Sequence, residues 1–257
     1  MKINYSEWLP CSALRDIVRN YWLFEIPERY NDGQSFEFEL MPENYLSIVF
    51  VRLQDTHVVT YSGIRTHSMI KEIHPGTTLL GIRFNPWISI PELFSNKQDT
   101  MNQVVVCDEP MQFLCRDMLA AFGNNFNENV AVIEQTLLQF QQRFSVEMNE
   151  IIKYICLKLD DPDHKIQDIV KDIPMAIRPI QKQFKQITGL SMIEYRNIGR
   201  LRETAKSIFF HNNSISYSAM VGGFTDHAHF IHSFQKYMKS KSFKLYYQKN
   251  HVVAFKK

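Results

Sequence analysis

The hydrophobic period of the chain changes part-way along. From Tyr21 to about Phe94, apolar residues recur at every second position or in short runs. Residues 35–40 alternate polar and apolar, 46–51 are almost wholly apolar, and 58–61 and 78–84 repeat the theme. A period of two marks half-buried strands, and short apolar runs mark buried ones. Turn chemistry separates them at Asn31-Asp32-Gly33, Met41-Pro42-Glu43-Asn44, Ser62-Gly63 and His74-Pro75-Gly76. Many short strands at this spacing predict a β-barrel or sandwich. A short helix is expected ahead of them, over residues 12–20.

From residue 111 onward the period becomes helical. Helices are expected over residues 111–122 and 128–144. In the second, Val130, Ile133, Leu137 and Phe140 form a heptad-like stripe. That stripe suits either packing on the strands or contact with a second copy in a homodimer. Residues 149–159 form another helix, with Ile151, Ile152, Ile155 and Leu159 inward. Next, residues 166–173 form a short amphipathic helix, Pro174-Met175-Ala176 a turn, and residues 177–188 a second helix. Ile180, Phe184 and Ile187 lie on its inner face, and Gly189 stands where a C-cap belongs. The pattern returns later: a short helix over 215–221, a Gly223-Phe224 turn, and a helix in which Phe230, Phe234 and Tyr237 share one face. Phe184, Phe224, Phe230 and Phe234 are expected in the core. A longer helix around residues 200–208 lies between the two pairs. Two helices joined by a tight turn make a helix-turn-helix, whose second member enters a DNA major groove.

Two such units on one connecting helix resemble the AraC/XylS family of transcriptional regulators. The resemblance rests on Phe184-Lys185, Gly189, Ser191 and Tyr195 in the first unit. On the connecting helix it rests on Arg200, Leu201 and Ala205. In the second unit it rests on Ala219, Gly223-Phe224, Asp226, His229-Phe230 and Phe234. It spans roughly residues 150–247. The chain departs from the family pattern at Ala176, where a Ser cap is usual, and at Lys239 and Ser242, where Gly and Pro are usual. His232 stands where a basic residue is common. Gly63-Ile64-Arg65 through residues 81–86 also looks like the cupin-like sensor domain of some AraC-type proteins. Together these imply an α+β fold: a mainly-β, cupin-like domain over residues 1–145 and an all-α domain with two helix-turn-helix units over 146–257.

Charge agrees with that division. Residues 1–146 carry 11 Lys+Arg and 17 Asp+Glu, net −6, while residues 147–257 carry 18 and 10, net +8. Only the second half suits a polyanion. On its first recognition helix the outward residues are Arg178, Gln181, Lys182 and Lys185. Arg and Gln make paired hydrogen bonds to guanine and adenine edges, and Lys neutralises phosphate. On the second, the resemblance maps base reading to His227, Ala228, Ile231 and His232, with Lys236 beside them. Arg200 is expected to cap or pair structurally.

In the first half, Trp22, Phe24, Phe38, Phe50 and Tyr61, with Arg65 and Arg83 nearby, form either plain core or a pocket for a small-molecule effector. Neither His57, His67 and His74 nor His227, His229 and His232 have metal-ligand spacing. No phosphate loop, nucleophile elbow or paired-carboxylate motif occurs, so neither enzyme chemistry nor a cofactor is expected. The cysteines, Cys11, Cys107, Cys115 and Cys156, read as reduced thiols. No apolar run reaches membrane-spanning length and no signal peptide is visible, which points to a cytoplasmic protein away from membranes. The expected function is sequence-specific transcriptional regulation on double-stranded DNA, responsive to an effector. The alternative is an effector-binding or protein-interaction module whose second unit no longer reads DNA.

Overall fold

The computed structural model of the chain describes residues 3–90, 100–107, 126–143, 146–211, 213–250 and 253–255, and its first half is built from strands. In chain order these are β1 (Ile3–Trp8), β2 (Val18–Glu25), β3 (Phe36–Leu40), β4 (Ser47–Leu53), β5 (Thr56–Ser62), β6 (Met69–Ile73), β7 (Thr78–Phe84), β8 (Ile88–Ser89) and β9 (Val104–Val106). Two short strands follow much later, β10 (Glu147–Met148) and β11 (Val253–Phe255). The main sheet runs β11-β1-β2-β7-β4-β5-β9, and β3 pairs with β6, and β8 with β10, in separate ribbons. All pairings are antiparallel except β1 with β11.

Register decides which side chains meet. Leu23, Leu80, Phe50 and Val59 are aligned across four strands, and so are Tyr21, Ile82, Ile48 and Tyr61. Because side chains alternate, the intervening rows lie on the opposite face. Those rows are Phe24, Leu79 and Val51; Trp22, Gly81 and Val49; and Arg83, Ser47 and Ser62. The first face joins the main core. Over the second face lie the β3–β6 ribbon and a helix from the other half of the chain.

The helices are α1 (Phe126–Arg143), α2 (Glu150–Asp160), α3 (Ile166–Lys171), α4 (Ile177–Thr188), α5 (Met192–His211), α6 (Ile215–Val221), α7 (His227–Tyr237) and α8 (Phe243–Asn250). The expected pairs are α3–α4 and α6–α7, joined by α5. Their starts follow local chemistry. Asn149 caps α2, Ser214 caps α6 and Asp226 caps α7, each through its side chain. At α5, Ser191 and Glu194 bond each other's backbone amides, the reciprocal box of an S-x-x-E sequence. Ala176 begins α4 with no side-chain cap, and Gly189 ends it with φ of 77°, accepted readily by a residue without Cβ. One buried cluster runs from Leu80 and Ile82 of the sheet through Ile152 and Ile155 to Phe184, Leu201, Phe230 and Phe234. The fold is therefore α+β, with an antiparallel sheet domain followed by helices.

One expectation is overturned and an open one is narrowed. Residues 12–20 are not a helix: a 3-10 turn covers Ser12–Leu14, and Val18 already begins β2. The β-branched Val18 and the aromatics of Tyr21–Phe24 gain more from pairing with β7 than a one-sided helix offers. The helical stripe of α1 turns inward, with Ile133 and Leu137 buried in the main core and Val130 packed against it. Glu134 beside it accepts from the Cys11 amide at 2.6 Å. The side chain of Phe140, Cys115 and the helix expected over 111–122 lie outside the described residues.

Candidate DNA-binding faces and effector cavity

The two helix pairs present polar faces. On α4, Arg178, Gln181, Lys182 and Lys185 are all exposed, while Ile180 and Phe184 are fully buried on the opposite face. On α7, His227, Ala228, His232 and Lys236 are exposed and Ile231 is half-buried. Phe230 and Phe234 are fully buried, and Phe224 is nearly so. His229 is spent on the helix start: its amide donates to Asp226 at 2.8 Å, and its ring accepts from the Thr225 amide at 3.3 Å. Arg200 donates to the Pro162 carbonyl at 2.8 Å, a structural contact as expected.

The second face of the sheet encloses a cavity of about 180 Å³. Trp22, Phe24 and Leu79 form its floor, and Phe38, Leu40 and Ile73 of the β3–β6 ribbon wall it. Gly81 makes room for the floor, since a Cβ there would run into the Trp22 ring. The roof is α5. Arg202, Ala205, Lys206 and Phe209, at steps of three and four along one helical stripe, all line the cavity, and Tyr246 of α8 joins them. Of the residues expected in a pocket, Trp22, Phe24, Phe38, Arg65 and Arg83 line it. Phe50 and Tyr61 do not, because the register puts them on the other face of the sheet, against the main core.

One end of this apolar cavity is ionic. Arg83 reaches Glu7 at 2.8 Å and Glu43 at 3.3 Å. Arg202 of α5 reaches Glu43 at 2.9 Å, and Lys206 reaches Glu7 at 2.8 Å. Arg65 lies 4.0 Å from Glu43 and donates to Ser62 and to the Met41 carbonyl. Four cations thus face two carboxylates, Glu43 buried and Glu7 half-buried, with the exposed Glu203 beside Lys206. Burial alone would raise Glu7, but Arg83 and Lys206 hold its carboxyl well below the ordinary range. Burial pushes the Arg65 guanidinium down to about 10 against the opposing pull of Glu43. Two polar atoms beside the cavity are buried without a hydrogen-bond partner among the described residues, Trp22 Nε1 and Glu43 Oε1. An indole N–H and an excess of cations at one end of an apolar chamber suit a molecule with an apolar body and an anionic head.

The strand that walls the cavity also holds the second helix pair. Phe38 and Leu40 face inward, so Glu39 between them faces out. Its carboxylate accepts from Ser68, from the amides of Lys239 at 2.7 Å and Ser240 at 3.1 Å, and from the Ser240 hydroxyl. Ser68 in turn donates its amide to the Tyr237 carbonyl at 2.8 Å. Burial opposes ionisation of Glu39, but the donors of Ser240, Ser68 and Lys239 keep its carboxyl below the ordinary range. These bonds fix the segment directly after α7. Sequence reading missed Glu7, Glu39, Glu43, Arg202 and Lys206. The i, i+4 cations Arg202 and Lys206 on a half-buried helix were the available signal.

Residues 6–106 match the family described as Domain of unknown function (DUF6597). No curated protein matches the chain. Among solved structures, the chain is similar to an apo variant of ToxT from Vibrio cholerae, with 10% identity, a TM-score of 0.48, and coverage of 88% of this chain and 97% of that one. It is also similar to ToxT from Vibrio cholerae bound to (E)-4-(8-methylnaphthalen-1-yl)but-3-enoic acid, at 10% identity, TM-score 0.46 and coverage of 98% and 100%. Unsaturated fatty acid bound wild-type ToxT from Vibrio cholerae gives 12% identity, TM-score 0.44 and coverage of 83% and 94%. Among the described residues no helix is long and apolar enough to cross a membrane, and no group of three or more His, Cys, Asp or Glu is placed to hold a metal ion.

Proposed function

We propose that this chain is an AraC-type transcriptional regulator rather than an enzyme, and that an amphipathic anion in the sheet-side cavity sets its affinity for DNA. The observation that carries this is the double duty of α5. The helix that joins the two pairs is also the roof of the cavity, through Arg202, Ala205, Lys206 and Phe209. The faces assigned to DNA, Arg178, Gln181, Lys182 and Lys185 on α4 and His227, Ala228, His232 and Lys236 on α7, are open to solvent. Helix α4 reads bases through Arg178 and Gln181, and its lysines anchor the backbone. Helix α7 enters a second major-groove segment about 34 Å along the duplex, one helical turn away. An anionic head between the cations of the sheet and those of α5 competes with Glu7 and Glu43, and so shifts α5 and both pairs with it.

A mobility shift of genomic fragments with the full chain tests the DNA half. Binding should weaken with salt, at about −0.9 in the log–log slope per phosphate neutralised. A chain that shifts no fragment even at low salt is the interaction module instead.

A further inference from the structure

A second cleft lies beside the first along α5, with Arg202 on the border of both. It holds about 220 Å³ and is bounded by three parts of the molecule: Asn44 and Tyr45 of the sheet domain, Pro162 after α2, and Val221 and Gly222 where α6 ends and the turn of the second helix pair begins. Arg19, Arg196, Arg200 and Arg202 line it, and Arg202 is paired with Glu43. Arg19 is neutralised by Asp160 at 3.0 Å, and Asp160 also accepts from the Tyr195 hydroxyl at 3.2 Å. Arg196 and Arg200 differ from it: among the described residues neither forms an ion pair. The Nε of each is buried with no hydrogen-bond partner among the described residues. Arg200 spends one Nη on the Pro162 carbonyl. The remaining acid at the rim, Glu203, is 67% exposed and turned toward Lys206.

This arrangement is unfavourable as it stands. Two guanidiniums four residues apart on a helix repel one another, and a buried N–H without an acceptor loses the hydration it had in the unfolded chain. Burial lowers the Arg196 guanidinium, and burial together with Arg196 lowers that of Arg200. A polyoxygen anion removes both penalties at once. Planar guanidinium forks match phosphate oxygens in pairs.

We propose that this cleft binds a phosphate group through Arg196 and Arg200, which lie on a different stripe of α5 from the one that roofs the apolar cavity. The ligand is a free phosphate or small phosphate ester, or else a backbone phosphate of bound DNA. Either occupant ties the sheet domain, the end of α2 and the turn of the second pair into one body. Arg200 already packs on that turn, because a Cβ at Gly223 would come within 2.9 Å of its Nε.

The test uses the full chain. Inorganic phosphate is titrated against chloride at matched ionic strength, with thermal melting and calorimetry as readouts, on wild type, Arg196→Gln and Arg196→Lys. Saturable stabilisation by phosphate, weakened at least about tenfold in Arg196→Gln and less in Arg196→Lys, establishes a free-phosphate site. No response to phosphate, with a DNA salt slope smaller by about one in Arg196→Gln, assigns the cleft to the DNA backbone. No response in either assay overturns the proposal. Melting without phosphate separates these outcomes from misfolding, and Arg196→Lys carries the test if Arg196→Gln does not fold. A wild type that binds phosphate but no DNA leaves this site standing and sinks the regulator reading instead.

Discussion

The two helix pairs share a plan and differ in how they are held. In the first, α4 starts at Ala176 without a side-chain cap, and its outer face carries Arg178, Lys182 and Lys185. In the second, α7 starts on the Asp226 cap and ends in a segment gripped by Glu39 of the sheet. Its outer face offers two histidines and one lysine. The first pair carries charge and is loosely begun. The second carries less charge and is fixed at both ends. On the proposed function, affinity for the polyanion is expected mainly from the first pair, and the placing of the second from its bonds to the sheet domain.

The largest effect breaks the plan they share. Phe234→Ala and Phe184→Ala each remove a fully buried ring from one continuous core, which costs about 3–5 kcal/mol. Both variants should melt markedly lower in one cooperative transition. Loss of DNA binding by Phe234→Ala at unchanged melting would place that ring on the groove side.

Next comes the grip on the second pair. Glu39→Gln leaves several donors around a poorer acceptor and should cost about 1–3 kcal/mol of stability. The pH dependence has a definite sign. A carboxyl held below its ordinary range contributes fully above that range and loses its contribution as pH falls. The gap in stability between wild type and Glu39→Gln should therefore be constant from pH 8 to about 5, and close below about 4.3. A gap that widens on acidification contradicts the grip. Chemical denaturation at a series of pH values reads it.

Base reading comes third. Arg178→Ala should lower affinity for a selected sequence by about 1–3 kcal/mol while sparing random DNA. Lys182→Ala should weaken both alike. Selection from a random duplex pool supplies the sequences, and equal losses for Arg178→Ala would move that residue to the backbone. The smallest effect sharpens the contrast in capping. Ala176→Ser should stabilise the first pair, and Asp226→Ala destabilise the second, by about 1 kcal/mol each.

The helical half was largely legible because its signals are local. Caps, turn glycines and the period of Phe230, Phe234 and Tyr237 lie within a few residues of one another. The sheet domain was less so, since its pairing is not local. β1 and β6 are short and defined only by their partners. Phe50 and Tyr61 were grouped with Trp22, Phe24 and Phe38, as core or pocket alike, because a strand's aromatics cannot be sorted to a face before register is known, and a slip of one residue exchanges the faces. Glu39 and Glu43 read as solvated turn and strand positions, yet their partners stand far along the chain at Ser240 and Arg202. The stripe Arg202, Ala205, Lys206, Phe209 has a helical period, but a period does not tell what it covers.

The most direct test of coupling through α5 is the DNA affinity of the full chain with and without a simple apolar anion. Decanoate is compared with decanol, on wild type and on Lys206→Gln, by fluorescence anisotropy of a selected duplex. Decanoate should change the wild-type Kd while decanol does not, and Lys206→Gln should blunt the response without abolishing DNA binding. An affinity that is the same with and without decanoate, when calorimetry shows decanoate bound, would contradict the coupling of cavity and DNA faces.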